Sequence, residues 1–207
     1  AALDTFRRCG AAEPALRLAL ALTWYRFLRG RVGEARRALE AALAIGGPAP
    51  DGLRAAGGVW HAGLAIWQGQ AGPERAADAL AAYRGLAGPA ERARAEWFLA
   101  MARAGLGDGA AAAGPLADAL AAFRAAGDRW GEAAALSTRA MLAHMRHDLA
   151  ALERDARRSA ELFDELGDAW GVLRGTDWLI GLADLSGDHA EAMRLCRDGL
   201  RLAEELG

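Results

Sequence analysis

Gly127-Asp128-Arg129-Trp130-Gly131 returns forty residues later as Gly167-Asp168-Ala169-Trp170-Gly171, and Gly207 stands forty residues further on. A second mark, His147-Asp148, lies midway between the two phrases, returns as Gly187-Asp188 and is preceded by Gly107-Asp108. Glycine closes helices in the left-handed conformation and aspartate caps the start of the next, so two marks per period predict two helices per repeat. A helix pair of that length cannot bury its apolar face alone, and stacked neighbours supply the missing cover. The expected fold class is all-α, a right-handed superhelix (α-solenoid) of about five helix pairs with a period near forty residues.

Working outward, residues 1–9 read as the tail of a helix closed by Gly10. The repeats then fall at about 11–46, 50–87, 88–127, 128–167 and 168–207, forming one repeat domain over 1–207. The run from Pro14 to Arg29 is apolar all round, with Leu16, Leu18, Leu20, Leu22, Trp24, Tyr25, Phe27 and Leu28, which predicts a helix buried on most sides. Gly46-Gly47-Pro48-Ala49-Pro50 is a turn by composition. Pro73 after Gly72 suits the first helical position, where its missing N–H costs nothing. Pro115 aligns with Asp155, inside a helix, so that helix either starts at Pro115 or bends there; a bend is expected. Asp128 and Asp168 are natural N-caps, and Asp188 with Glu191 has the spacing of a capping box. Connections of two to five residues force consecutive helices antiparallel, giving about eleven helices.

Hydrophobic residues make up 53% of the 207 and charged residues 25%, which excludes wholesale disorder. Every basic residue is Arg, and Asp and Glu are interleaved with them at a net charge of −2. Nucleic-acid binding by this segment is not expected, because a phosphate-binding surface needs a clustered basic stripe. Apolar runs are broken well before 18 residues, so no membrane span or membrane partner is expected. Residues 1–20 lack the pattern of a signal peptide and the chain lacks an initial Met, so it reads as part of a longer cytoplasmic protein. Cys9 and Cys196 are expected as free, buried thiols of a reducing compartment. His61, His144, His147 and His189 have no CxxC or HExxH company, and no GxxxxGK[ST] stretch is present, so neither metal nor cofactor is expected in this segment.

Ser186-Gly187-Asp188-His189-Ala190-Glu191-Ala192, followed by Cys196, Gly199 and Leu200, resembles the second helix of a tetratricopeptide repeat (TPR). The TPR period is 34 residues. Here Gly30, Gly69, Gly107, His147 and Gly187 lie 38 to 40 apart, which marks a longer variety. That variety, with Gly-Asp-Arg-Trp-Gly opening one repeat and Phe163-Asp164-Glu165-Leu166-Gly167-Asp168 closing another, is similar to the C-terminal region of MalT-like, LuxR-type and SARP-type bacterial transcription regulators. In those proteins an ATP-binding module precedes a TPR superhelix. Trp24-Tyr25-Arg26-Phe27-Leu28-Arg29-Gly30-Arg31 also resembles the first repeat after that module. The resemblance implies a sensor arm whose ligand or partner releases an ATPase switch and permits oligomerisation and DNA binding elsewhere in the protein.

The resemblance further implies that the first helix of each pair lines the concave face. With the Gly or His of each mark as position fifteen, the inward positions are two, five, nine, twelve and thirteen. They supply Arg17, Trp24 and Phe27, then Val59, Ile66 and Trp67, then Arg94, Trp97 and Met101. The last two pairs supply Ser137, Met141, His144 and Met145, then Arg174, Asp177 and Asp184. The binding candidates are Trp24, Trp67, Arg94, Trp97, Met101, Ser137, Met141, His144, Arg174, Asp177 and Asp184. Such a wall, aromatic in its first half and polar in its second, suits an amphipathic helix, a peptide or a polyhydroxylated ligand. Large aromatics at helical spacing also build cores, and Trp130 and Trp170, repeated at one position, are expected there. Ser137 has no His and acid at helical spacing, so no catalytic residue is expected. The sequence therefore reads as a non-enzymatic recognition scaffold for a protein, peptide or small-molecule effector, the sensor segment of a cytoplasmic transcription regulator. The alternative is a general protein–protein interaction adaptor unconnected with transcription.

Overall fold

The structure, a computed structural model, describes residues 2–206, apart from the side chains of 73, 76 and 206; Gly207, the third beat of the forty-residue spacing, lies outside the described residues. Among the described residues the chain forms eleven α-helices and no strand. It divides into two compact units at Asp108/Gly109. The first holds α1 (Ala2–Arg8), α2 (Ala12–Leu28), α3 (Val32–Leu43), α4 (Asp51–Trp67), α5 (Pro73–Arg84) and α6 (Pro89–Gly105). The second holds α7 (Gly109–Ala126), α8 (Arg129–Met145), α9 (Leu149–Glu165), α10 (Ala169–Leu185) and α11 (His189–Leu206).

Within each unit, chain neighbours pack on one another and alternate helices lie side by side: α2 by α4 and α4 by α6 in the first, α8 by α10 in the second. In each unit these alternate helices form a contacting row against which their chain neighbours pack.

The turns explain why the helices end where they do. At Gly127-Asp128 the Asp128 N–H reaches back to the Phe123 carbonyl and the Gly127 N–H to that of Arg124, the paired bonds of a Schellman closure. Asp128 then accepts from the Gly131 N–H at 2.9 Å, opening α8. The same succession recurs at Gly167-Asp168 and Gly187-Asp188. His147-Asp148 repeats it as well, with His147 held at φ 57°, the only non-glycine at positive φ among the described residues. The expected capping box at Asp188 is formed on one side, because the Glu191 carboxylate is engaged by Arg194 at 2.6 Å.

Three expectations are corrected. Cys9 and Cys196 are free but exposed, Cys9 in the turn that closes α1 and Cys196 on an uncovered face of α11. The helix from Pro14 to Arg29 is buried along one stripe only, through Ala12, Ala15, Leu16, Ala19 and Thr23, while Tyr25 and Leu28 are exposed. Trp130 and Trp170 are half-buried rather than sequestered; the Trp130 indole N–H donates to Asp168 at 2.8 Å, which holds its edge at the surface. Pro115 does not delay α7, which begins at Gly109 and runs through it.

The second unit is cross-braced by one buried charge. Asp155 on α9 is 1% exposed and receives the Arg139 guanidinium from α8 in a two-point contact of 2.6 and 2.8 Å, with Arg154 at 3.2 Å. Ser159, one helical turn on, donates to the Ala133 carbonyl at 2.9 Å. Removing Arg139 strips the buried carboxylate of its two-point partner and leaves only the single contact of Arg154, so Arg139→Ala is expected to cost about 2 kcal/mol. A urea-denaturation loss below about 0.5 kcal/mol, the size of a surface change, would count against this brace. His147→Gly is expected to stabilise the chain by about 1 kcal/mol by relieving the left-handed conformation; an unchanged or lower urea midpoint would show that the histidine ring compensates.

Candidate functional site

In the first unit the layer of α2, α4 and α6 carries an aromatic cluster. Trp24 stacks on Phe27 at 5.1 Å and meets Trp97 edge-on at 5.6 Å; Phe27 meets Trp67 at 5.2 Å and Phe98 at 6.0 Å; Trp60 stacks on Phe98 at 4.2 Å. Such offset and edge-to-face pairs are each worth about 0.5–1.5 kcal/mol beyond burial. The contacts span three helices because α4 is small where rings approach it: the Phe98 ring lies against the backbone of Gly63. Of the predicted residues, Trp97 (2% exposed) and Met101 form the buried floor and offer no surface to a ligand. Trp24 is half-buried, while Trp67, 37% exposed, and Arg94 are accessible. Val59 and Ile66, also placed inward by the position count, are core.

In the second unit α8 and α10 bring most of the predicted polar residues together around a side chain that the count omitted, Trp178. Its indole N–H donates to the Ser137 hydroxyl at 3.0 Å. The His144 ring lies 6.0 Å from the Trp178 ring, and Arg174 places its guanidinium 5.1 Å above it. Arg174 also pairs with Asp177 at 3.1 Å. Met141 lies between Ser137 and His144 on the same stripe of α8, four residues from one and three from the other. His144 closes the other end, its buried Nδ1 without a hydrogen-bond partner and its ring edge against Gly181. Asp184 is apart from this group, at the α10–α11 turn with His189 Nδ1 3.8 Å away.

The omitted residues share one cause. Trp60, Phe98 and Trp178 all stand at position six when the Gly or His of each mark is fifteen. Neither position keeps one environment: at position five Val59 and Trp97 are core while Asp177 is exposed, and at position six Phe98 is core while Trp60 and Trp178 are half-buried. The recurrence of an aromatic residue at position six is the signal that could have found Trp60, Phe98 and Trp178.

The electrostatics of the second patch are local. Partial burial raises the Asp177 carboxyl above its ordinary value, opposed by the charge and hydrogen bond of Arg174. A patch so built can hold an apolar surface flat on Trp178 while the guanidinium and carboxylate orient polar groups beside it. Among the described residues no three His, Cys, Asp or Glu side chains gather as a metal site requires, and no helix is long and apolar enough to cross a membrane. No family model and no curated protein matches the chain.

Removing the guanidinium leaves only the effect of burial on Asp177. In Arg174→Ala the Asp177 carboxyl is therefore expected to titrate at a higher pH than in the parent. A carboxyl raised in the folded state supports the fold below its unfolded value and withdraws that support as pH rises through the folded value, so this variant loses more stability across the upper carboxylate range. Carboxyl-carbon NMR of Asp177 measures the shift, and an equal or lower midpoint would contradict the assignment.

Proposed function

We propose that the chain is a non-enzymatic recognition scaffold of TPR-type helix pairs that binds a peptide or small-molecule effector on its first-helix layers. The observation that carries this reading is Trp178, fixed by Ser137, overlain by Arg174 and still half-exposed. A buried structural tryptophan would have no need of a cation on its open face. An aromatic ring held at the surface by a hydrogen bond, with charge beside it, is preorganised to bind, because little rotamer freedom remains to be lost. The ligand class that fits is an amphipathic segment, its apolar side on Trp178 and Met141 and its polar side toward Arg174 and Asp177.

Together with the sequence resemblance, this supports a sensor segment of a cytoplasmic bacterial transcription regulator, in which a bound effector biases an attached switch. Such biasing requires a ligand that contacts the two states differently. A P-loop and a helix-turn-helix encoded in the same gene favour the regulator, and their absence favours the general adaptor.

The binding reading is tested by screening an array of amphipathic helical peptides against the full chain by fluorescence anisotropy. Peptides that bind the parent are expected to lose at least tenfold in affinity on Arg174→Ala and on Trp178→Ala, and to be unaffected by Arg158→Ala, an exposed residue of α9 that pairs with Glu161. Retention of binding in a folded Arg174→Ala variant, or equal loss in Arg158→Ala, would refute the placement of the site.

A further inference from the structure

A cavity lies wholly within the first unit, where α4 and α6 begin and α5 ends. It holds about 300 Å³ between Arg17 of α2, Leu53 and Ala56 of α4, Tyr83 of α5, Leu86 of the turn after it and Glu91 of α6, a volume at the lower end of small-molecule sites. Leu53, Ala56 and Leu86 give it apolar area, and two of its polar groups stand unengaged. Tyr83 is 6% exposed and packs in a core cluster with Val59, Leu80 and Leu99, yet nothing among the described residues hydrogen-bonds its hydroxyl. A tyrosine so buried ordinarily gives its hydroxyl a partner. Burial first, and the Glu91 charge second, raise the phenol above its ordinary value, so the hydroxyl keeps its proton.

Glu91 holds its carboxylate beside the start of α6, where a Cβ on Gly88 would stand 2.5 Å from Oε2. An acid in a first turn ordinarily caps the helix. This one accepts no hydrogen bond and forms no ion pair among the described residues. Arg17 is committed to Glu13, with contacts of 2.7 and 2.9 Å. Those two charges offset each other and leave that of Glu91 unopposed.

We infer that this cavity binds a ligand carrying an ammonium group on an apolar chain, the cation held between the Glu91 carboxylate and the Tyr83 hydroxyl. An ammonium has three N–H donors and no acceptor. One meets Glu91, one meets the Tyr83 oxygen and the third stays in water, while the hydrocarbon covers Leu53, Ala56 and Leu86. An anion would meet the unopposed carboxylate, and a neutral apolar molecule would strip water from it without return. A free amine and a lysine side chain offer the same chemistry. The site is independent of Trp178, which belongs to the other unit.

The test titrates n-hexylammonium into the full chain and follows the backbone amide NMR signals of Leu53 and Leu86. Saturable binding is expected, with n-hexanol and hexanoate at least tenfold weaker. Glu91→Gln and Tyr83→Phe keep the shape of the site and are each expected to weaken the amine about tenfold, the size of a lost charge-assisted hydrogen bond. Dispersion of the same spectra reports that both variants are folded. Acetyl-lysine methylamide separates the two sources: tighter binding than hexylammonium assigns the ammonium to a peptide and weaker binding to a free amine, and both support the site. No saturable shift with either amine, hexanoate binding as tightly as hexylammonium, or parental affinity in both variants overturns the inference.

Discussion

The second unit depends on a phenylalanine ring resting on a glycine backbone. Phe123 lies on Gly131 and Phe163 on Gly171, so closely that a Cβ at either glycine would enter the ring. Dispersion contacts of this kind are individually small, but a ring against bare backbone brings two helices nearer than any pair of side chains allows. The Phe163 ring is also flanked by Trp130 at 6.2 Å and Trp170 at 6.4 Å, both edge-on. Asp168 completes the junction: one carboxylate oxygen caps the Gly171 N–H and the other receives the Trp130 indole. One five-residue phrase therefore ends a helix, starts the next, admits a ring and ties itself to the previous copy of the same phrase.

The first unit uses the same device with other residues. Phe98 rests on Gly63, and its ring then gathers Trp60, Phe27 and Trp97. Gly47 makes a comparable demand in the loop between α3 and α4, where its φ of 119° and the Gly10 carbonyl oxygen leave no room for a side chain. Arg54 fastens that loop by donating to the Gly47 carbonyl at 2.8 Å. Close approach is thus obtained by deleting side chains at chosen points, and the aromatic residues mark where.

Helix ends were legible wherever chemistry marks them. α5 begins at Pro73, and α8 and α10 begin directly after Asp128 and Asp168, because Gly-Pro and Gly-Asp each act within a few residues. Where no such mark exists the reading drifts: α3 stops at Leu43 and α5 at Arg84, two residues before the apolar pattern does. Faces were less legible than ends. One residue on a helix is a rotation of about 100°, so a count that omits position six passes over Trp60 and Trp178, while position five mixes the core residues Val59 and Trp97 with the exposed Asp177. Periodicity alone does not fix which of these a neighbouring helix covers. Burial of the cysteines was unreadable for a related reason, since composition carries no information about whether a neighbouring helix covers the stripe on which Cys196 lies.

The two exposed surfaces differ in what they can discriminate. The rings around Trp67 supply apolar area with little direction, so a ligand lying there would gain affinity with little selection. Around Trp178 the polar groups are already committed, the indole to Ser137 and the guanidinium to Asp177. A ligand that lies on that ring without matching them would strip water from a charge and return nothing, a penalty of several kcal/mol if the group becomes buried. A ligand that does match them meets donors and acceptors held in place before it arrives. On the proposed reading, specificity would reside at Trp178, because recognition there would be set by the cost of a mismatch more than by the gain of contact.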